Sequence, residues 1–132
     1  MEIDPVQICR YLRLYGRKPG PALESRIDAM RTEAEAAMRP ARTWLRIDDV
    51  SELDLRGSVT LAKHLSGCHA AYFVCGTIGA SFDALQRRVS AKSASDAFIL
   101  QAIGAAAIEA WMDSVEDEIC GELKPGECLV PR

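Results

Sequence analysis

The sequence has no surplus of basic residues: 16 lysines and arginines stand against 19 aspartates and glutamates, for a net charge of −3 over 132 residues. A nucleic-acid-binding module needs basic side chains to neutralise phosphates, so this balance argues against one and leaves room only for a local basic patch. Internal repeats and low-complexity tracts are also missing. With 48% hydrophobic and 27% charged residues, the composition is typical of a globular protein and not of a disordered chain.

The sequence also lacks a recognisable signal peptide and a long hydrophobic run. Residues 1–5 are acidic where a signal peptide is basic and then apolar. The most apolar stretch, Ala97–Met112, is shorter than the roughly 20 residues that cross a bilayer, and it contains Gln101 and Glu109. The five cysteines are odd in number. We therefore expect a cytoplasmic protein with reduced thiols and no membrane association.

Motifs of established chemistry are missing as well. No Gly-x-Ser-x-Gly nucleophile elbow occurs, which argues against that class of hydrolase. The segment Cys75–Gly79 joins a predicted strand to a predicted helix, where backbone N–H groups can bind an anion. It lacks the full spacing of a dinucleotide-binding or P-loop motif, so a plain tight turn is the simpler interpretation.

Four potential metal ligands, His64, Cys68, His69 and Cys75, lie within twelve residues. No Cys-x-x-Cys pair occurs among them. A histidine at a helix end and a cysteine inside a buried strand explain the cluster without a metal. We therefore predict no metal site.

The residue pattern predicts a mostly helical chain with two strands. Asp4 as N-cap and Pro5 in the first turn open a helix that is predicted to end at Gly16. The apolar run at 71–75 predicts a strand that is buried. The remaining predictions are helices at about 22–38, 60–65, 80–89 and 95–120, a strand at 43–47, a loop at 48–57 and a strand-like segment beginning at 128.

Two carboxylates on the predicted long helix share its apolar face. Glu109 and Asp113 are four residues apart, on the side that also carries Phe98, Ala102 and Ala106. Two like charges there are unfavourable, which suggests a cationic partner or ligand. The alternative is that the helix leaves the core near Glu109 and that both carboxylates are in water. The pattern alone favours the alternative.

Four segments stand out by their order and spacing. They are Ile3-Asp4 through Tyr11-Leu12 to Gly16, Ala62-Lys63-His64-Leu65-Ser66-Gly67-Cys68, Gly76-Thr77-Ile78-Gly79, and the helix from Ala97 through Gly104 and Glu109 to Asp113. Together they resemble the activation domain of vitamin B12-dependent methionine synthase, and more closely the short stand-alone relatives of that domain. The resemblance covers most of the chain and is weakest at 38–57.

The resemblance implies an α+β fold, in which several helices, including one long central helix, pack on a small, bent, mainly antiparallel sheet. It implies that the chain binds S-adenosylmethionine and supports reductive remethylation of cobalamin in methionine synthase or a related methyltransferase. The cobalamin would be held by a partner, either a corrinoid-binding protein or a methionine synthase module. A flavodoxin-like protein would donate the electron, and self-association of the chain is left open.

The resemblance also implies which residues contact the ligand. Carboxylates suit the sulfonium and ammonium groups of S-adenosylmethionine, and an arginine suits its carboxylate. No catalytic residue is implied, because the domain would position a methyl donor over a cofactor held elsewhere. The implied contacts are Asp4, Glu109 and Arg132, with Gly76, Thr77 and Gly79 as the turn that lines the site.

The final residue bears on the extent of the domain. In the family, the arginine opens an Arg-x-x-x-Gly-Tyr segment, and here the sequence ends at Arg132. We therefore expect residues 1–132 to be one activation-domain-like domain that is incomplete at its C-terminal end. The alternative function is a non-enzymatic interaction module that docks on a corrinoid or methyltransferase partner, with the ligand site lost.

Overall fold

The computed structural model describes residues 1–130, so Arg132 lies outside the described residues. Within them the two strands form one antiparallel two-stranded sheet, and the α+β class is confirmed. The helices are α1 (Pro5–Tyr11), α2 (Pro21–Ala37), α3 (Val59–His64), α4 (Ala80–Ser90) and α5 (Ala94–Glu122), the strands are β1 (Ala41–Ile47) and β2 (Ala71–Thr77), and a 3-10 helix spans Val50–Glu52.

Helix α1 begins as predicted and ends early. The Asp4 side chain accepts a hydrogen bond from the Val6 amide at 2.8 Å, which satisfies one of the free N–H groups of the first turn. The predicted end at Gly16 is wrong, because the helix ends at Tyr11. The backbone of Arg13 already has a φ of 58°, in the left-handed region that no helix can continue through.

The chain divides into two compact units. The helical unit comprises residues 1–41 and 76–130, with α1, α2, α4 and α5. The sheet unit comprises residues 42–75, with most of both strands, the 3-10 helix and α3. The expectation of a single domain stays a prediction.

The core of the helical unit is built around α5. This helix packs against α1, α2 and α4, and α2 also packs against α4. Leu100, Ile103 and Ala107 have no exposed surface. Packing on several sides explains why the first half of α5 is apolar nearly all round.

The length and composition of α5 also meet the requirements of a membrane span. Its most apolar window has a mean hydropathy of 1.3, and 44% of that window is buried inside the protein. A buried core helix of a water-soluble protein has the same properties. The expectation of no membrane association therefore stays a prediction.

The sheet unit has no buried residue at any position from 42 to 75. The prediction that β2 is a buried strand is wrong, since Phe73 is 50% exposed and Cys75 is exposed. The apolar run has a single neighbouring strand within the described residues, so it cannot be covered on both faces. The Ser58 side chain caps α3 by accepting a hydrogen bond from the Leu61 amide at 3.2 Å.

The loop predicted at 48–57 is confirmed except for one turn of 3-10 helix at Val50–Glu52, in which the Asp49 side chain accepts a hydrogen bond from the Ser51 amide at 2.9 Å. The strand-like segment predicted from 128 is not a strand, because residues 123–130 form no helix or strand. A short apolar sequence becomes a strand only where another strand offers its edge.

Candidate functional site

An open groove of about 600 Å³ runs along α4 and α5 at the end of β2, within the helical unit. This volume lies in the range of small-molecule sites. The predicted turn residues Gly76 and Thr77 line it, together with Ile78 and Phe82. On the α5 side it is lined by the stripe from Gln101 to Ile108.

Close packing of α4 on α5 forms the groove. A Cβ atom on Gly104 would lie 2.6 Å from Cζ of Phe82, so only glycine lets the ring lie directly against α5 at this position. Phe82 is 6% exposed and belongs to the core of the helical unit. The groove is therefore set by one glycine and one aromatic ring from neighbouring helices.

One backbone amide of the turn after β2 is already engaged within the turn. The Gly79 N–H donates to the Thr77 hydroxyl at 3.0 Å, so it is unavailable to an anion. Gly79 has a φ of 101°, and a Cβ atom there would be 2.8 Å from the Arg39 carbonyl oxygen. Gly76 and Thr77 line the groove, whereas Gly79 lies against Arg39 and does not.

Three polar side chains of the groove were not predicted from the sequence. The Asp83 carboxylate lies in the first turn of α4 and is exposed. The Gln86 side chain donates from Nε2 to the Ala97 carbonyl at 3.0 Å, and its buried Oε1 has no hydrogen-bond partner within the described residues. Gln101 lines the opposite side. Two features of the sequence could have indicated these residues. Gln101 is a single polar residue in an apolar helical stretch, and Asp83 and Gln86 are three residues apart, on one face of α4.

The predicted acidic ligands Asp4 and Glu109 lie elsewhere, and neither lines the groove. Asp4 serves as the N-cap of α1. The half-buried Glu109 accepts a hydrogen bond from the Tyr11 hydroxyl, which links α1 to α5. Asp113 is exposed. Glu109 is therefore not fully in water, and within residues 1–130 its hydrogen-bond partner is a phenol.

The Tyr11–Glu109 hydrogen bond should contribute to stability in a pH-dependent way. The pKa of Tyr11 is raised above its ordinary value, mainly by the hydrogen bond to the Glu109 carboxylate and to a smaller extent by desolvation. A raised pKa in the folded state means that this contribution is complete below the ordinary pKa of tyrosine and is lost as pH rises through the raised one. We expect Tyr11→Phe to lower the free energy of unfolding by about 1 kcal/mol at neutral pH.

Chemical denaturation at neutral and alkaline pH measures this effect. The difference between wild type and Tyr11→Phe should shrink as pH rises, because the wild type alone loses the bond. Tyr15→Phe is the control, since Tyr15 is 85% exposed and its substitution should change little. A difference that stays constant through alkaline pH would contradict the assignment.

The described residues contain no group of three or more His, Cys, Asp or Glu side chains arranged to hold a metal ion. His64 and His69 both lie in the sheet unit and are exposed. The cysteines of residues 1–130 are all free thiols.

Of the five predicted ligand contacts within residues 1–130, the structure thus brings two, Gly76 and Thr77, into one groove. Comparison of the chain with known proteins finds no matching family model, no similar curated protein and no similar solved structure. The resemblance to the activation domain of methionine synthase stays a prediction that rests on the segments quoted above.

Proposed function

We propose that this chain binds S-adenosylmethionine in the groove between α4 and α5, and that it thereby supports reductive remethylation of a corrinoid held by a partner protein. The observation that carries the proposal is that Gly76 and Thr77, the turn implied by the resemblance, line an open groove of about 600 Å³.

The chemistry of the groove suits such a ligand. The side chains of Ala105 and Ile108 would provide apolar surface for a flat base, and the exposed amide of Gln101 would provide a polar group for its edge. The Asp83 carboxylate provides a negative charge for the sulfonium or ammonium group.

Asp83 replaces the carboxylates that the sequence suggested for this role. Asp4 is engaged as a helix cap and Glu109 is engaged by Tyr11, whereas Asp83 lines the groove itself. The carboxylate that selects for a cation is therefore proposed to come from the first turn of α4.

The role of the chain would be to position the methyl donor. Cobalamin on a corrinoid-binding protein or methionine synthase module would carry out the methyl transfer, and a flavodoxin-like protein would supply the electron. The proposed setting is the cytoplasm.

Titration calorimetry with S-adenosylmethionine and S-adenosylhomocysteine tests the proposal. The two ligands differ at the sulfonium, so Asp83 should favour the charged one. We expect Asp83→Asn to weaken S-adenosylmethionine binding by about tenfold and to affect S-adenosylhomocysteine much less. Asp117→Asn, which removes one exposed carboxylate of α5 outside the groove, is the matched control and should bind as the wild type does.

The outcomes separate the two functions considered for this chain. Binding that depends on Asp83 but not on Asp117 supports the proposal. If neither ligand produces heat, the proposal is overturned, and the non-enzymatic interaction module remains as the function of the chain. Equal weakening of both ligands by Asp83→Asn would mean that the residue shapes the groove without recognising charge.

A further inference from the structure

One face of the two-stranded sheet is exposed and apolar. The Arg46 guanidinium lies over the Tyr72 ring, 5.4 Å from its centroid, so these two side chains share a face. Since side chains alternate along a strand, Leu45 and Phe73 lie on the other face. They are 61% and 50% exposed.

This exposed face carries no charged side chain. Soluble proteins usually place charges on exposed sheets and edges, because charge discourages pairing with another chain. Alternation from Leu45 and Phe73 assigns to the face Ala41, Thr43, Leu45 and Ile47 of β1 and Ala71, Phe73, Cys75 and Thr77 of β2.

The outer edge of β2 is open in the part of the chain that the structure describes. There β2 pairs with β1 alone, and no backbone hydrogen bond joins Ala71–Thr77 to any other segment. A two-stranded sheet is marginal by itself, and a third strand or a packed surface is usually needed to stabilise it. The lack of any buried residue between 42 and 75 shows that the sheet unit has no core of its own.

The charges on the two strands determine which of them can pair with the same strand of a second copy of the chain. Antiparallel pairing of β1 with β1 of a second copy, centred on Trp44, would place Arg42 of one copy opposite Arg46 of the other, and like charges directly opposite are unfavourable. The β2 sequence Ala-Tyr-Phe-Val-Cys-Gly-Thr has no charge and no proline. It has the composition of segments that pair with themselves.

We propose that β2 pairs in an antiparallel manner with β2 of a second copy of this chain, which forms a four-stranded sheet in the order β1-β2-β2-β1. The pairing is centred on Phe73, so each Phe73 side chain is covered by its counterpart across the two-fold axis. The chain is then a homodimer through its sheet unit, independently of any ligand in the groove.

The test is the solution mass of the full chain, measured by light scattering and sedimentation from low to high micromolar concentration. We expect the wild type to reach twice 14.4 kDa. Phe73→Lys places two ammonium groups opposite each other and should raise the dimer dissociation constant at least about tenfold. Phe98→Lys is the matched control, since Phe98 is 49% exposed and lies on α5 in the helical unit.

Circular dichroism shows whether each variant is folded, and Phe73→Thr, which places a β-branched residue of good strand propensity at the position, gives a second measurement with less risk to the strand. A dimer that is weakened by both Phe73 variants and kept by Phe98→Lys supports the proposal. A wild type that remains at 14.4 kDa at every concentration overturns it. Folded Phe73 variants that dimerise like the wild type, or a Phe98→Lys variant that dissociates equally, also overturn it.

Discussion

Gly79→Ala should lower the free energy of unfolding by about 3 kcal/mol or more. Gly79 has a φ of 101°, a conformation that residues with a Cβ atom rarely adopt, at a cost of about 1–3 kcal/mol. The new Cβ atom would also lie 2.8 Å from the Arg39 carbonyl oxygen. Because this neighbour is backbone, it cannot turn aside as a flexible side chain would.

The substitution should also disturb the turn that connects β2 to α4. The Arg39 amide donates to the Ile78 carbonyl at 2.8 Å, so moving Arg39 away also stretches that bond. Thermal unfolding should show a melting temperature lower by about 10 °C. Gly121→Ala is the matched control, because it lies inside α5 with nothing within 4 Å of the new atom and should be neutral or slightly stabilising. Equal loss in both variants would contradict the argument from φ and contact.

Gly104→Ala should lower the free energy of unfolding by about 2 kcal/mol. The added Cβ atom would lie 2.6 and 2.7 Å from two ring atoms of Phe82, so the ring or α4 must shift within a packed core. Part of the penalty is offset, because alanine favours a helix more than glycine does. Denaturant unfolding gives the difference directly.

A double-mutant cycle identifies the cause of that loss. Phe82→Leu removes the ring atoms that the new methyl group meets, so Gly104→Ala in the Phe82→Leu background should be close to neutral. The interaction energy between the two positions should therefore exceed about 1 kcal/mol. Additive effects would show that the ring is not the obstacle. Because Phe82 and Gly104 both line the groove, we also expect ligand binding to change in Gly104→Ala.

The helices could be predicted closely because their signals are local. Asp4 caps α1 as expected, and α5 runs over Ala94–Glu122 against a predicted 95–120. The end of α1 was wrong because Arg13 and Tyr15 take positive φ values, which glycine usually takes in place of other residues. A local pattern shows where a helix is favoured, and the fold decides where the chain must turn.

Burial of the strands could not be predicted, because it depends on neighbours that are distant in sequence. The run at 71–75 is as apolar as a central strand, but one neighbouring strand leaves Phe73 and Cys75 exposed. The candidate site shows the same limit. Gly76 and Thr77 were found from a turn motif, whereas Asp83 and Gln86 became part of the groove only through the packing of α4 on α5.

Along the sequence, α1 and α2 of the helical unit come before residues 42–75, and α4 and α5 come after them. Its core is therefore shared between two stretches of chain that need not be joined through residues 42–75. A protease cut in the exposed segment between β1 and β2 would leave two fragments held together by the packing of α2 against α4 and α5. We expect these two fragments to stay associated, because the core of the helical unit is built from both of them.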